Sequence, residues 1–373
     1  MTTAAPTSRA AEILSRPLAI NGLTVSNRIV MAPMTREFSP GGVPGADVAS
    51  YYARRAAAGV GLIVTEGTYV GHESAGQSDG VPRFHGEEQL AGWAKVAEEV
   101  HAAGGRIVPQ LWHIGMVREQ GQPPYADAPA VGPSGLRLDG TEGTGKAMTR
   151  RDLDDVIGAF AEAAAAAERI GFDGVELHGA HGYLIDQFLW AGTNRRTDAY
   201  GGDAVARTKF AADIVAAVRE TVSPGFPVLF RYSQWKSDNY DARLAETPEE
   251  LEAILTPLTA AGVDAFHAST RRYWLPEFEG SDLNLAGWTK KLTGRPAITV
   301  GSVGLEGDIL KTMGESSPVK GIDDLLDSLE REEYDLVAVG RALLQDPEWA
   351  AKVLGGRFDE LKPFEPAALR TLS

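Results

Sequence analysis

No cysteine occurs among the 373 residues. That absence removes disulfides, thiolate zinc sites and cysteine-ligated iron–sulfur clusters at once. Basic residues are outnumbered, with 36 Lys and Arg against 51 Asp and Glu and a formal net charge of -15. With no basic stripe to offset it, a nucleic-acid partner is not expected. The balance still allows an anionic cofactor, because backbone N–H groups and a few placed arginines can hold one. No apolar run approaches the roughly 20 residues of a membrane span. The opening stretch MTTAAPTSRAAEILSRP lacks the apolar core of a secretory signal. A soluble cytoplasmic protein with no membrane partner is therefore expected. The 43% hydrophobic share suits a globular chain with a sizeable core.

Short β-branched runs alternate with longer helical patterns. Strands are expected at Arg28–Ala32, Leu62–Thr65, Arg106–Leu111, Val175–His178, Val228–Tyr232, Ala265–Ala268, Ala297–Val300 and Leu336–Val339. These are continuous apolar runs, as parallel strands covered on both faces require. Helical spacing occupies Val48–Ala58, Glu87–Ala103, Arg151–Arg169, Ala204–Val222, Pro248–Ala261, Leu285–Leu292 and Ile322–Glu332, with a closing helix from Asp346 to Leu354. Gly59, Gly104, Gly171 and Gly262 supply the left-handed stop of several helices. Eight βα units without a composition break predict one (β/α)8 TIM barrel, a single domain over residues 1–373 with its core at 18–355. A doubly wound open sheet is the alternative. Leu18–Val25 has an Asn21-Gly22 turn and reads as an N-terminal β-hairpin closing the barrel floor.

In a barrel the chemistry gathers where strands end. Thr35, Gln110, His113, His178, His181, Arg231 and His267 are polar residues at those ends. Long connections follow at Trp112–Thr149, Ser233–Thr247, Ser269–Asn284 and Ser302–Gly321, a length usually tied to function.

His178 and His181, with Tyr183 two positions on, are the most pointed cluster. A lone strand-end histidine is ordinarily structural. Two imidazole N–H donors aimed at one carbonyl oxygen could stabilise an enolate, and a tyrosine O–H could protonate its carbon. A zinc site is the competing reading, and it needs a third ligand. Gln110 needs partners for both amide atoms, which a pyrimidine-like ring edge would supply. Gly67 leaves room for something flat against the backbone. Arg231, inward on its strand, calls for an anion or an electron-rich atom. Gly301-Ser302 and Gly340-Arg341 end the last two strands, where barrels commonly hold phosphate.

From Asn27 to about Trp349 the chain resembles the old yellow enzyme family of NADH:flavin oxidoreductases, the ene reductases. The resemblance rests on Ala32-Pro33-Met34-Thr35, Thr65-Glu66-Gly67, Gln110-Leu111-Trp112-His113, His178 through Gly202, Arg231 and Val339 through Leu344. It implies a barrel with non-covalent FMN, reduced by NADPH or NADH, and a small-molecule activated alkene as substrate. Pro33, Met34, Thr35, Gly67 and Gln110 would line the flavin ring, Thr35 beside N5 and Arg231 near N1. Gly301, Ser302, Gly340 and Arg341 would take the phosphate. His178 and His181 would grip the substrate oxygen, Tyr183 would donate the proton and Trp112 would form a wall. A metal-dependent hydrolase built on His178 and His181 is the alternative function; a homo-oligomer stays open.

Two departures stand out. Met116 follows His113-Ile114-Gly115 where relatives often carry arginine, with Arg118 two residues on. The segment Leu305–Gly321 is longer than the family usual and lies near the expected phosphate end.

Overall fold

Eight apolar runs become eight parallel strands that close into a barrel. The computed structural model describes residues 8–308 and 314–373, so part of the long segment Leu305–Gly321 lies outside the described residues. A hairpin, β1 (Leu18–Ile20) and β2 (Leu23–Val25), precedes the barrel. The staves are β3 (Ile29–Met31), β4 (Leu62–Tyr69), β5 (Ile107–Trp112), then, after a small pair β6 (Val131–Gly132) and β7 (Lys146–Ala147), β8 (Val175–His181), β9 (Val228–Lys236), β10 (Ala265–Ser269), β11 (Ala297–Val300) and β12 (Leu336–Val339). Each stave pairs with the next, and β12 returns to β3. The barrel and its hairpin are thus as the sequence leads one to expect.

The longer helices cover the outside because they carry an apolar face. In helix α1 (Arg150–Arg169) Leu153, Val156, Phe160 and the alanines Ala163, Ala164 and Ala167 are buried. Those small side chains let the helix lie close to the barrel, and a Thr149–Asp152 capping box fixes where it starts. Helix α2 (Pro248–Ala261) starts at a Thr247 cap with proline in its first turn and stops at left-handed Gly262.

Inside the barrel Val30, Leu62, Val64, Val108, Leu229, Ala265, Ile298 and Leu336 pack together. Ile20, Leu23 and Val25 of the hairpin join this cluster. Full burial of each valine, leucine or isoleucine here contributes about 1.5–3 kcal/mol. Asn21 takes a left-handed φ of 51° in the turn. Its amide donates to Pro224 O at 2.7 Å, tying the turn to the floor loops. Gly22 is needed for closeness: a Cβ there would stand 2.5 Å from Gly225 O.

Three staves run further than apolar patterning indicates. Strand β4 continues to Tyr69 across a register shift between Val64 and Gly67. Strands β8 and β9 continue to His181 and Lys236, whose backbones pair. Their polar tips look like loop because hydrophobicity is a poor guide where side chains hydrogen-bond one another. Arg118 organises the connection after β5: its buried guanidinium donates to Ala128 O at 3.2 Å, to Gln122 O at 2.9 Å, and to Gly76 O and Tyr125 O. The arginine two places past Met116 is a loop anchor here.

Candidate active site

Pairing register sets His178, Arg231 and His267 side by side on β8, β9 and β10. Glu176, two residues below His178, is fully buried under them. Its carboxylate accepts from Gln110 Nε2 at 2.7 Å and from His267 Nδ1 at 2.7 Å. Burial pushes Glu176 up, yet His267, Arg231 and the Gln110 amide together draw it below the ordinary carboxylate range. A carboxylate only accepts, so the Gln110 amide oxygen is left for another donor. His267, lowered by burial, is neutral and gives its Nδ1 proton to Glu176. Burial lowers Arg231 to about 10, which keeps it cationic. Arg231 Nη2 donates to Ser269 Oγ at 3.2 Å. Arg231 Nε and His267 Nε2 are buried with no partner among the described residues.

Above this layer the predicted cluster assembles. His178 lies 5.2 Å from His181 and 5.0 Å from Tyr183, ring centre to ring centre. Tyr183 lies 6.5 Å from His181 and 4.9 Å from Trp112. Ala180 N–H donates to His178 Nδ1 at 3.4 Å, which assigns the imidazole proton to Nε2. His181 Nε2 lies 2.8 Å from Ser269 Oγ, and its ring stacks on Trp235 at 4.4 Å. Burial and the Arg231 charge hold both imidazoles well below their usual range, so both are neutral. Burial raises Tyr183, so it keeps its proton.

The loop after β3 brings Pro33 and Met34, half-buried, and exposed Thr35 to the same mouth. Glu66 Oε2 fixes that loop by accepting the N–H groups of Arg36 at 2.7 Å and Glu37 at 3.1 Å. On its Cβ side Gly67 makes room for the Trp112 indole, which a Cβ would meet at 2.6 Å. A Cβ on Gly340 would sit 3.5 Å from Met34 Sδ, so the β12 end and the β3 loop meet. Gly301 and Ser302 take φ values of 143° and 53°. Arg341 Nη2 donates to Gly307 O at 2.6 Å and Ser302 Oγ at 3.3 Å.

Residue patterning places His267 at a strand end and assigns no role to Glu176, Ser269 or Trp235. A lone glutamate in the apolar run Val175-Glu176-Leu177 was the available signal for a buried carboxylate. For the metal alternative, no group of three or more His, Cys, Asp and Glu among the described residues is placed to hold an ion. That alternative lacks its third ligand.

The model of the NADH:flavin oxidoreductase / NADH oxidase family matches residues 14–360. The chain belongs to that family. Among its relatives, an NADH oxidase of Thermoanaerobacter brockii is 33% identical over 92% of this chain and 51% of its own length. The 12-oxophytodienoate reductase 7 of Oryza sativa subsp. japonica is 38% identical over 55% of this chain and 54% of its own. The chain spans about half the length of these curated relatives. Morphinone reductase in complex with tetrahydroNAD superposes with a TM-score of 0.80 at 28% identity, covering 95% of this chain and 93% of that one. The old yellow enzyme resemblance is borne out.

FMN and a nicotinamide donor are the cofactors of an NADH:flavin oxidoreductase of this kind. The residues present fit FMN. The partnerless Arg231 Nε and His267 Nε2 offer a buried donor and a buried acceptor, suited to a ring edge that carries both. Among the described residues no helix is long and apolar enough to cross a membrane.

Proposed function

We propose that the chain, as one FMN-binding domain over residues 1–373, reduces the activated C=C bond of α,β-unsaturated carbonyl compounds. The observation that carries the reading is the packing of Trp112, His178, His181 and Tyr183 around one point at the barrel mouth. When bound, FMN supplies the hydride it has received from NADH or NADPH. Pro33, Met34, Thr35, Gly67, Gln110 and Arg231 would hold its ring system, and Gly301, Ser302, Gly340 and Arg341 its phosphate. His178 Nε2–H and the His181 imidazole donate to the substrate carbonyl oxygen. As neutral donors they stabilise an oxyanion without surrendering a proton. Tyr183, protonated at neutral pH, gives its proton to the α-carbon. Trp112 walls the site and excludes water beside the phenol. Alkenes without an electron-withdrawing group do not react, because no oxyanion develops for the histidines to hold.

The test is the visible spectrum of the purified protein during anaerobic NADPH addition and then 2-cyclohexenone addition. Bleaching followed by recovery with the enone supports the reading. Bleaching without recovery assigns the oxidant to another class.

A further inference from the structure

Between His181 and Tyr183 stands Gly182, and both its N–H and its C=O are held. Its N–H donates to Asp186 Oδ2 at 2.6 Å, and its carbonyl accepts from Gln187 Nε2 at 2.7 Å. Asp186 Oδ1 in turn lies 2.8 Å from Lys236 Nζ, and both side chains are wholly inaccessible to solvent. Lys236 is also the backbone partner of His181 across β8 and β9. One lysine therefore reaches the turn by main chain and by side chain.

The turn needs such support. His181 and Gly182 take successive left-handed φ values of 65° and 83°. For histidine that region costs about 1–3 kcal/mol and persists only where the surroundings over-determine it. Further ties are the His181 N–H to Ser233 Oγ at 2.9 Å and the Ser237 N–H to His181 O at 3.1 Å. Buried ion pairs add little net stability, since desolvation offsets their attraction, and are better explained by what they specify. Burial pulls Asp186 up and Lys236 down, and their mutual attraction counters both.

We propose that the buried Asp186–Lys236 pair is a positioning device for proton delivery. It holds the Gly182 peptide so that His181 and Tyr183 present their rings to one substrate oxygen and its α-carbon. The role rests on the ene-reductase reading and deepens it. Neither residue touches the reacting atoms; both act through the Gly182 N–H.

Two neutral pairs separate positioning from mere charge burial. Asp186→Asn with Lys236→Met keeps an acceptor for the Gly182 N–H; Asp186→Leu with Lys236→Met removes it. Stopped-flow absorbance would follow each half-reaction, using NADPH and then 2-cyclohexenone, and titration with 4-hydroxybenzaldehyde would report binding at the histidines. The Asn pair is expected to keep alkene reduction and phenol affinity within about threefold of wild type, while the Leu pair loses roughly 10- to 100-fold in the alkene step. Flavin content and reduction by NADPH should be alike in both. Equal alkene rates and phenol affinities in the two pairs overturn the positioning role. Should the Leu pair not fold, Asp186→Ser with Lys236→Met, whose shorter side chain withdraws the acceptor, replaces it with the same expectation. Wild-type protein that the enone fails to reoxidise overturns the ene-reductase reading instead.

Discussion

His181 and Arg231 meet on one hydroxyl. Ser269 Oγ accepts from Arg231 Nη2 at 3.2 Å and stands 2.8 Å from His181 Nε2. While accepting from the cation, the Ser269 hydroxyl can give its own proton to His181 Nε2, an arrangement that leaves the imidazole proton on Nδ1. Ser269→Ala removes that tautomer control at the cost of about one hydrogen bond, ~1 kcal/mol. We expect roughly fivefold weaker 4-hydroxybenzaldehyde binding by spectral titration. Wild-type affinity in the alanine variant would show that the serine does not orient the ring.

Tyr183→Phe should slow alkene reduction by roughly 10²- to 10⁴-fold, the usual worth of a positioned acid. Reduction of the flavin by NADPH should stay near wild type. Pre-steady-state absorbance separates the two steps, and equal loss in both contradicts the assignment.

His178→Ala removes the donor whose Nε2–H faces the proposed oxyanion. The expected loss is about 3 kcal/mol of transition-state stabilisation, near 100-fold in the alkene step. Enone and phenol affinity should fall with it; unchanged phenol affinity counts against the oxyanion site.

Glu66 ties stability to pH. Burial raises it from 4.5 to about 7, against the pull of the Arg36 and Glu37 N–H groups. Between those values the folded protein holds a proton that the unfolded chain has released. Stability therefore falls as pH rises through this window, by up to about 1.4 kcal/mol per pH unit, and levels off above it. Glu66→Gln should flatten the slope. Tm measured from pH 5 to 8 on both proteins checks this, and parallel curves would refute it.

The barrel could be read from the chain because its staves are long apolar runs buried on both faces, such as Leu62-Ile63-Val64 and Leu336–Val339. Tyr183, His178 and His181 were visible because five positions lead from strand to phenol, so local sequence brings them together. Long-range partners were not. Glu176 finds His267 across 91 residues, and Asp186 finds Lys236 across 50. Nothing local to a lysine in Gln234-Trp235-Lys236 announces a carboxylate in the short helix that follows the neighbouring stave. Short helices such as Leu184–Leu189 and Arg341–Gln345 also escaped, because one and a half turns carry too little periodicity to register.

Ile20, Leu23 and Val25 of the hairpin extend the packed barrel interior downward, so side chains fill the barrel below its rim. On the ene-reductase reading, electron donor and electron acceptor then take turns at that one rim. Steady-state kinetics should accordingly be ping-pong, with parallel double-reciprocal lines, and each reactant at high concentration should inhibit the other. A filled interior below thus leaves the rim as the place where the two reactants compete.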